Sequence, residues 1–267
     1  MRAFVISGPR QASVREVDPP QAGRGQVVVG VERVGVCGTD VELFDGTMPY
    51  LLEGHEKYPL RPGHEWVGTV VAIGPDVDVH WQGARVTGDT MLGCGVCARC
   101  LRGHHHVCAN RYEVGIRGGW PGALAEQLLL PANALHRLPA HLPATAGALV
   151  EPAGCALRAV DAAQIMPGEE VCMWGPGTLG LLALQFAVTR GAVVDVVGID
   201  AEKLALATKL GARSVLLAAD AANGPMDRYA CVIDTSNSPD VANLAVHQVE
   251  PSGRVVLLGL ADTPSTI

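Results

Sequence analysis

The stretch Val171-Cys172-Met173-Trp174-Gly175-Pro176-Gly177-Thr178-Leu179-Gly180 decides the fold of the second half of this chain. Val171 to Trp174 predicts a short buried strand, and Thr178 to Arg190 predicts an apolar helix. Between them Gly175, Gly177 and Gly180 fit Gly-x-Gly-x-x-Gly, with Leu179 at a variable position. Alone the pattern is weak, because 32 of the 267 residues are glycine. The strand before it and the helix after it make it a dinucleotide turn. The glycines let the backbone approach a pyrophosphate, which the helix N-terminus favours electrostatically. Asp200 ends the next predicted strand, Val193 to Ile199. A carboxylate there is expected to accept hydrogen bonds from the adenosine ribose and to repel a 2′-phosphate, which favours NAD over NADP. Lys203 stands nearby, and a cation tolerates that phosphate. The plainer alternative is a strand–turn–helix with an incidental aspartate.

Working outward, strand and helix signals alternate. Ala201 to Leu210 is an amphipathic helix stopped by Gly211, and Ser214 to Leu217, Cys231 to Asp234 and Arg254 to Leu258 are short strands. Such alternation predicts a doubly wound parallel sheet. Thr145 to Ala163 reads as one Ala-rich helix. Before it the pattern is different. Val27 to Val29, Val31 to Val36 and Trp66 to Ile73 are β-branched runs separated by Gly and Pro, as in a small barrel or sandwich of mostly antiparallel strands. The expected organisation is α/β, with a β-rich domain over 1–146 and a dinucleotide-binding domain over 147–267.

Composition excludes several classes. Hydrophobic residues are 48% and charged residues 18%, which rules out a disordered chain. With only eleven aromatic residues the core must be aliphatic. A net charge of −7, with no basic run and no aromatic–basic stripe, argues against a nucleic-acid partner. The longest helix-like apolar run, Gly177 to Val188, is too short for a bilayer, and the N-terminus lacks the apolar core of a signal peptide. No membrane partner and a cytoplasmic location are the resulting expectations.

Cysteines supply the remaining chemistry. Cys94, Cys97, Cys100 and Cys108 are spaced Cys-x2-Cys-x2-Cys-x7-Cys. Four thiolates in one loop, about 90–112, can close a tetrahedral Zn²⁺ site with no open position, hence a structural one. His104, His105 and His106 read as a solvated polar loop beside it. Cys37, in Gly35-Val36-Cys37-Gly38-Thr39-Asp40, and His64, in Gly63-His64-Glu65, are distant in sequence. Taken singly they read as a core thiol and a turn histidine.

At this point the chain resembles the zinc-containing medium-chain dehydrogenases, the group of alcohol, sorbitol and threonine dehydrogenases. Gly63-His64-Glu65, Gly68, Gly74 and Val77 match that family's zinc signature, and the four-cysteine lobe and the dinucleotide turn follow in the family's order. The resemblance implies a GroES-like catalytic domain and a Rossmann domain with the active site in the cleft between them. It implies a catalytic zinc on Cys37 and His64, with Glu65 as a ligand or a supporting carboxylate. Glu151, in Leu149-Val150-Glu151-Pro152, matches the glutamate ligand of the polyol and threonine branches and is preferred to Cys155. Thr39 resembles the hydroxyl that hydrogen-bonds the substrate oxygen. Glu42 occupies the position where a histidine often relays the proton, and Asp40 reads as a structural hydrogen-bonder.

The implied activity is hydride transfer from a secondary alcohol, polyol or amino alcohol to NAD, with one catalytic and one structural zinc. The alternatives are a non-catalytic NAD-binding protein or an inactive shortened dehydrogenase. Met48 to Tyr58 and Tyr112 to Leu124 are expected to border the substrate pocket. Five Rossmann strands can be placed and a sixth cannot, so the chain reads as C-terminally shortened. The homo-oligomer expected of a full-length form, which relatives build through that sixth strand, is not expected of this length.

Overall fold

A computed structural model of the chain describes residues 1–221, 226–259 and 263–264. It divides into two compact units, Met1–Glu151 and Pro152–Ile267.

In the first unit the elements are β1 (Arg2–Gly8), β2 (Gln11–Glu16), β3 (Gln26–Val34), α1 (Gly38–Asp45), α2 (Pro49–Leu52), β4 (Trp66–Ile73), β5 (Arg85–Gly88), β6 (Met91–Leu92), α3 (Ala98–Leu101), β7 (Tyr112–Glu113), β8 (Gln127–Pro131), β9 (Leu135–Arg137) and α4 (Ala144–Ala148). Five of them form an antiparallel sheet in the order β8-β3-β4-β5-β9, and β1-β2 and β6-β7 are separate hairpins. The valines of Gln26-Val27-Val28-Val29-Gly30-Val31 hold a single strand, because Val27, Val28 and Val29 are all buried between β4 and β8. Trp66, Val70, Val86, Leu128 and Leu130 complete that core. Burying such aliphatic side chains contributes roughly 1.5–3 kcal/mol each.

The second unit continues with α5 (Val150–Ala163), whose first residues belong to the first unit, then β10 (Glu170–Trp174), α6 (Thr178–Thr189), β11 (Val193–Gly198), α7 (Ala201–Lys209), β12 (Ser214–Leu217), α8 (Ala218–Ala221), β13 (Tyr229–Asp234), α9 (Val241–Gln248) and β14 (Val249–Leu257). The sheet is parallel in the order β12-β11-β10-β13-β14, the 3-2-1-4-5 arrangement of a doubly wound fold. β10, β11 and β13 are almost wholly buried, so their sequences are mainly apolar, with Asp195 the buried charge inside β11 and Asp234 at the end of β13.

Two expectations change. The Thr145 to Ala163 helix is two helices that part at Leu149. Pro152 explains the break. It has no N–H, and its ring would clash with the carbonyl four residues back, at Ala148, if one helix ran through. The last strand begins at Val249, earlier than Arg254. Glu250-Pro251-Ser252-Gly253 form a bulge within β14, with Ser252 at φ 68 and the pairing to β13 shifting between Tyr229 and Cys231.

Candidate functional site

The register of β3 on β4 builds the first site. Val34 pairs with Trp66 at the end of the ladder, and Gly35 N–H continues it by donating to the Glu65 carbonyl at 2.6 Å. The residues beyond the ladder, Cys37 on one side and His64 and Glu65 on the other, are thereby placed together. The Cys37 sulfur, a His64 ring nitrogen and a Glu65 carboxylate oxygen lie within 4.8 Å of one another. Gly35 is required here, since a Cβ at that position would overlap the Glu65 carboxylate.

Asp40 ties the two strands of ligands into one unit. It lies in the first turn of α1, whose N-cap is Cys37. One carboxylate oxygen accepts from Cys37 N–H at 2.9 Å and the other from Gly63 N–H at 3.0 Å. His64 Nδ1 is 3.7 Å from Asp40, too far for a hydrogen bond, and has no hydrogen-bond partner although it is buried. Burial alone would lower the His64 pKa, but Asp40, Cys37 and Glu151 outweigh it and raise the pKa to about 10. Buried and faced by negative groups, this imidazole is suited to a cation in place of its proton. Glu65 and Glu151 are both pushed above the usual carboxylate range, chiefly by burial. Glu151 stands outside the three-residue cluster and accepts a hydrogen bond from Thr90 at 3.3 Å. No motif marks Thr90 in the sequence; only the β5–β6 connection brings it to Glu151. Thr39 and Glu42 sit three residues apart on α1, hence on one face.

The cysteine lobe forms a second cluster, with all four sulfurs of Cys94, Cys97, Cys100 and Cys108 within 4.8 Å of one another. Cys94 to Cys100 is 4.0 Å and Cys97 to Cys108 is 3.8 Å. Thiolates about 2.3 Å from a tetrahedral zinc stand about 3.8 Å apart, so the donor set fits that metal. The backbone N–H of Cys100 and the neighbouring thiols lower the Cys97 pKa to about 6. Cys108 is also lowered, first by a backbone N–H, while desolvation raises Cys100 to about 11. Of the three adjacent histidines, His105 pairs with Asp89 at 3.3 Å, outside the cluster.

In the second unit the glycine turn joins β10 to α6, with Gly175 at φ 89 and Gly177 as the helix N-cap. A Cβ on Gly180 would overlap the Gly175 carbonyl. Thr235, at the end of β13, donates its hydroxyl toward the Trp174 and Gly175 carbonyls at 2.8 and 2.6 Å. Asp200 is the N-cap of α7. Its Oδ1 accepts from the Glu202 and Lys203 N–H groups at 3.0 and 3.2 Å, and its Oδ2 is 3.5 Å from Lys203 Nζ. Those backbone N–H groups, with Lys203, hold the carboxyl below its usual range.

A cavity of about 340 Å³ in the first unit is lined by Glu56, Arg61, Gly119 and Trp120, among others. It draws on both stretches expected to border the substrate, but on none of the clustered metal donors. No helix among the described residues is long and apolar enough to cross a membrane.

Comparison with known proteins agrees with this architecture. Residues 23–140 match the alcohol dehydrogenase GroES-like domain, and residues 178–267 match the zinc-binding dehydrogenase domain. The chain is 35% identical over 259 residues to an L-threonine 3-dehydrogenase of Streptomyces coelicolor, covering 92% of this chain and 72% of that protein. It is 34% identical over 224 residues to an erythritol/L-threitol dehydrogenase of Mycolicibacterium smegmatis, covering 79% and 61%. Among solved structures, a Sinorhizobium meliloti 1021 protein bound to NADP superposes with a TM-score of 0.91 at 30% identity, over all of this chain and 79% of that one. Galactitol-1-phosphate dehydrogenase from Escherichia coli does so at 0.87 and 28%, over all of this chain and 78% of that one. The chain belongs to the zinc-containing alcohol dehydrogenase family, with a GroES-like and a Rossmann-type unit, and it is an oxidoreductase.

Proposed function

We propose that the chain oxidises the hydroxyl of a small secondary alcohol, polyol or amino alcohol, transferring hydride to a nicotinamide dinucleotide. The observation that carries the reading is the convergence of Cys37, His64 and Glu65 within 4.8 Å from two separate strand ends. Cys37 and His64 would hold a zinc ion. Glu65, inside the cluster, and Glu151, beside it, are the two carboxylates that can complete the set while leaving a position open. When bound, the zinc supplies Lewis acidity at the substrate oxygen and the nicotinamide supplies the hydride acceptor.

The chain's own residues do the rest. The Thr39 hydroxyl orients the substrate oxygen and takes its proton at Oγ. Glu42, on the same face of α1, is the carboxylate that can receive that proton next. Asp40 keeps the Cys37 and His64 segments at a fixed separation, and the Gly175–Gly180 turn carries the pyrophosphate. Cys94, Cys97, Cys100 and Cys108 hold a second, structural zinc. The relatives named for threonine, erythritol and galactitol 1-phosphate support the substrate range.

A panel of diols, sugar alcohols, threonine and simple alcohols, assayed for nicotinamide reduction with both NAD and NADP, tests the activity. Elemental analysis should find two zinc ions per chain, and one in Cys37→Ser, which should remain folded but inactive. A fully active Cys37→Ser protein would exclude this site. Dinucleotide binding without turnover of any substrate would favour a non-catalytic role.

A further inference from the structure

The cavity of about 340 Å³ in the first unit holds a cation without a partner. Its walls are largely apolar, with Val17, Leu60, Trp120 and Pro121 among them. Among the described residues, Arg61 is the only basic side chain that lines it. Arg61 is half-buried, and its Nε is sealed from solvent with no hydrogen-bond partner. Burial lowers its pKa. Two carboxylates border the same space, and neither pairs with it. Glu56 is 7% exposed; its Oε1 accepts from the Lys57 N–H at 2.9 Å and its Oε2 from the Gly119 N–H at 2.8 Å. Asp18 is exposed. A guanidinium taken partly out of water without an anion is destabilising. The space beside it lies at the small end of the range for ligand sites, about 300–1,000 Å³.

We propose that this cavity binds a small organic carboxylate, paired by the two Nη groups of Arg61, with its apolar body against the Leu60 and Trp120 wall. The donors that remain select that class. The Gly119 N–H is taken by Glu56, the Gly115 N–H by the Trp120 carbonyl at 2.9 Å, and the Trp120 indole N–H by the Leu129 carbonyl at 3.0 Å. One planar fork is left, which matches one carboxylate in a bidentate pair. A phosphate dianion would find no further donor among these groups and would face Glu56 as well. The site is separate from the metal cluster. Cys37, His64, Glu65 and Glu151 do not line the cavity, and Pro62 and Gly63 stand between Arg61 and His64 in the chain. The proposal needs neither zinc, nor the dinucleotide, nor the alcohol.

Calorimetric titration with butyrate and benzoate tests it, with butyramide as the uncharged control and inorganic phosphate as the competing anion. At least one carboxylate should bind saturably with a Kd of about 10 mM or tighter, and butyramide should bind about tenfold weaker or worse. Arg61→Met should weaken the carboxylate by about tenfold or more, the loss of one charge-assisted pair. Arg61→Lys, which keeps the charge but not the fork, should bind it more tightly than Arg61→Met does, with circular dichroism confirming both folds. Cys37→Ser should bind the carboxylate as the unaltered protein does, because the metal cluster takes no part. A Kd weaker than about 10 mM for both carboxylates overturns the inference, as does a loss smaller than about tenfold in Arg61→Met. So does butyramide binding within about tenfold of butyrate. Loss of binding in Cys37→Ser would put the carboxylate on the metal cluster instead. Tighter binding of phosphate than of either carboxylate overturns the assigned class.

Discussion

Asp40→Asn should uncouple the two halves of the metal cluster while leaving every donor atom in place. The residue is 5% exposed and its two carboxylate oxygens each accept one backbone N–H, from Cys37 and from Gly63. Asparagine is isosteric but offers one acceptor oxygen. Its amide nitrogen would face the other N–H, donor against donor. One hydrogen bond to a charged acceptor is lost, about 1.5–3 kcal/mol, and a buried N–H is left unsatisfied, about 1–3 kcal/mol. The sum is about 2.5–6 kcal/mol before relaxation, and zinc affinity should fall about 10–100-fold as the Cys37 and Gly63–His64 segments lose the carboxylate that holds them together. Asp45→Asn is the control on the same helix. Its partner Arg10 is 76% exposed, so that change should cost less than about 1 kcal/mol. Hydrogen exchange at the Cys37 and Gly63 amides, with zinc competition against a chelator, reads both effects. Unchanged protection and zinc affinity in Asp40→Asn would refute the reasoning.

Three further outcomes follow from the geometry. Cys97→Ser should release one zinc and loosen residues 90–112, seen as lost exchange protection there, while the second unit's melting is unchanged. Burial would raise the Asp195 carboxyl, but Arg213, Ser214 and Tyr229 outweigh it and hold the folded pKa low. The unfolded chain therefore binds the extra proton, so this stabilisation is complete above pH ~4 and is lost as pH falls through the folded pKa. Asp195→Asn should cost about 3 kcal/mol at neutral pH and flatten the acid limb of a denaturation series. Arg61 has a buried Nε with no hydrogen-bond partner, no ion pair among the described residues, and a pKa lowered by burial. Arg61→Met should raise the melting temperature, by about 1 kcal/mol of stability or more; a lower melting temperature would mean that the guanidinium has an anionic partner in solution.

The second unit was largely legible in the sequence because β10, β11 and β13 are buried on both faces. Val171 to Trp174 stands out as an apolar run, and the glycine turn sits between it and an apolar helix. Where the reading slipped, long-range pairing had overruled a local cue, as with the bulge at Ser252. In the first unit the four cysteines were legible because their ligands lie in one loop. The Cys37–His64 pair was not legible from spacing, since only the β3–β4 register joins them, and the family resemblance supplied what local pattern could not. Thr90 and Thr235 carry no local signal at all. Asp200 carries two signals at once: its separation from Gly180 suits a ribose ligand, and its residue type is a preferred helix cap, which is how the start of α7 uses it.

The hydroxyl of Thr235 on the Trp174 and Gly175 carbonyls has a thermodynamic consequence. It fastens the entry of the phosphate turn to a neighbouring strand, so the loop is already shaped before any ligand arrives. A dinucleotide then meets N–H groups that need not be ordered on contact, and little conformational entropy is lost at the pyrophosphate. Thr235→Val keeps the shape and removes only the tether. It should make the entropy of association less favourable and slow the encounter, with the heat of phosphate contact nearly preserved.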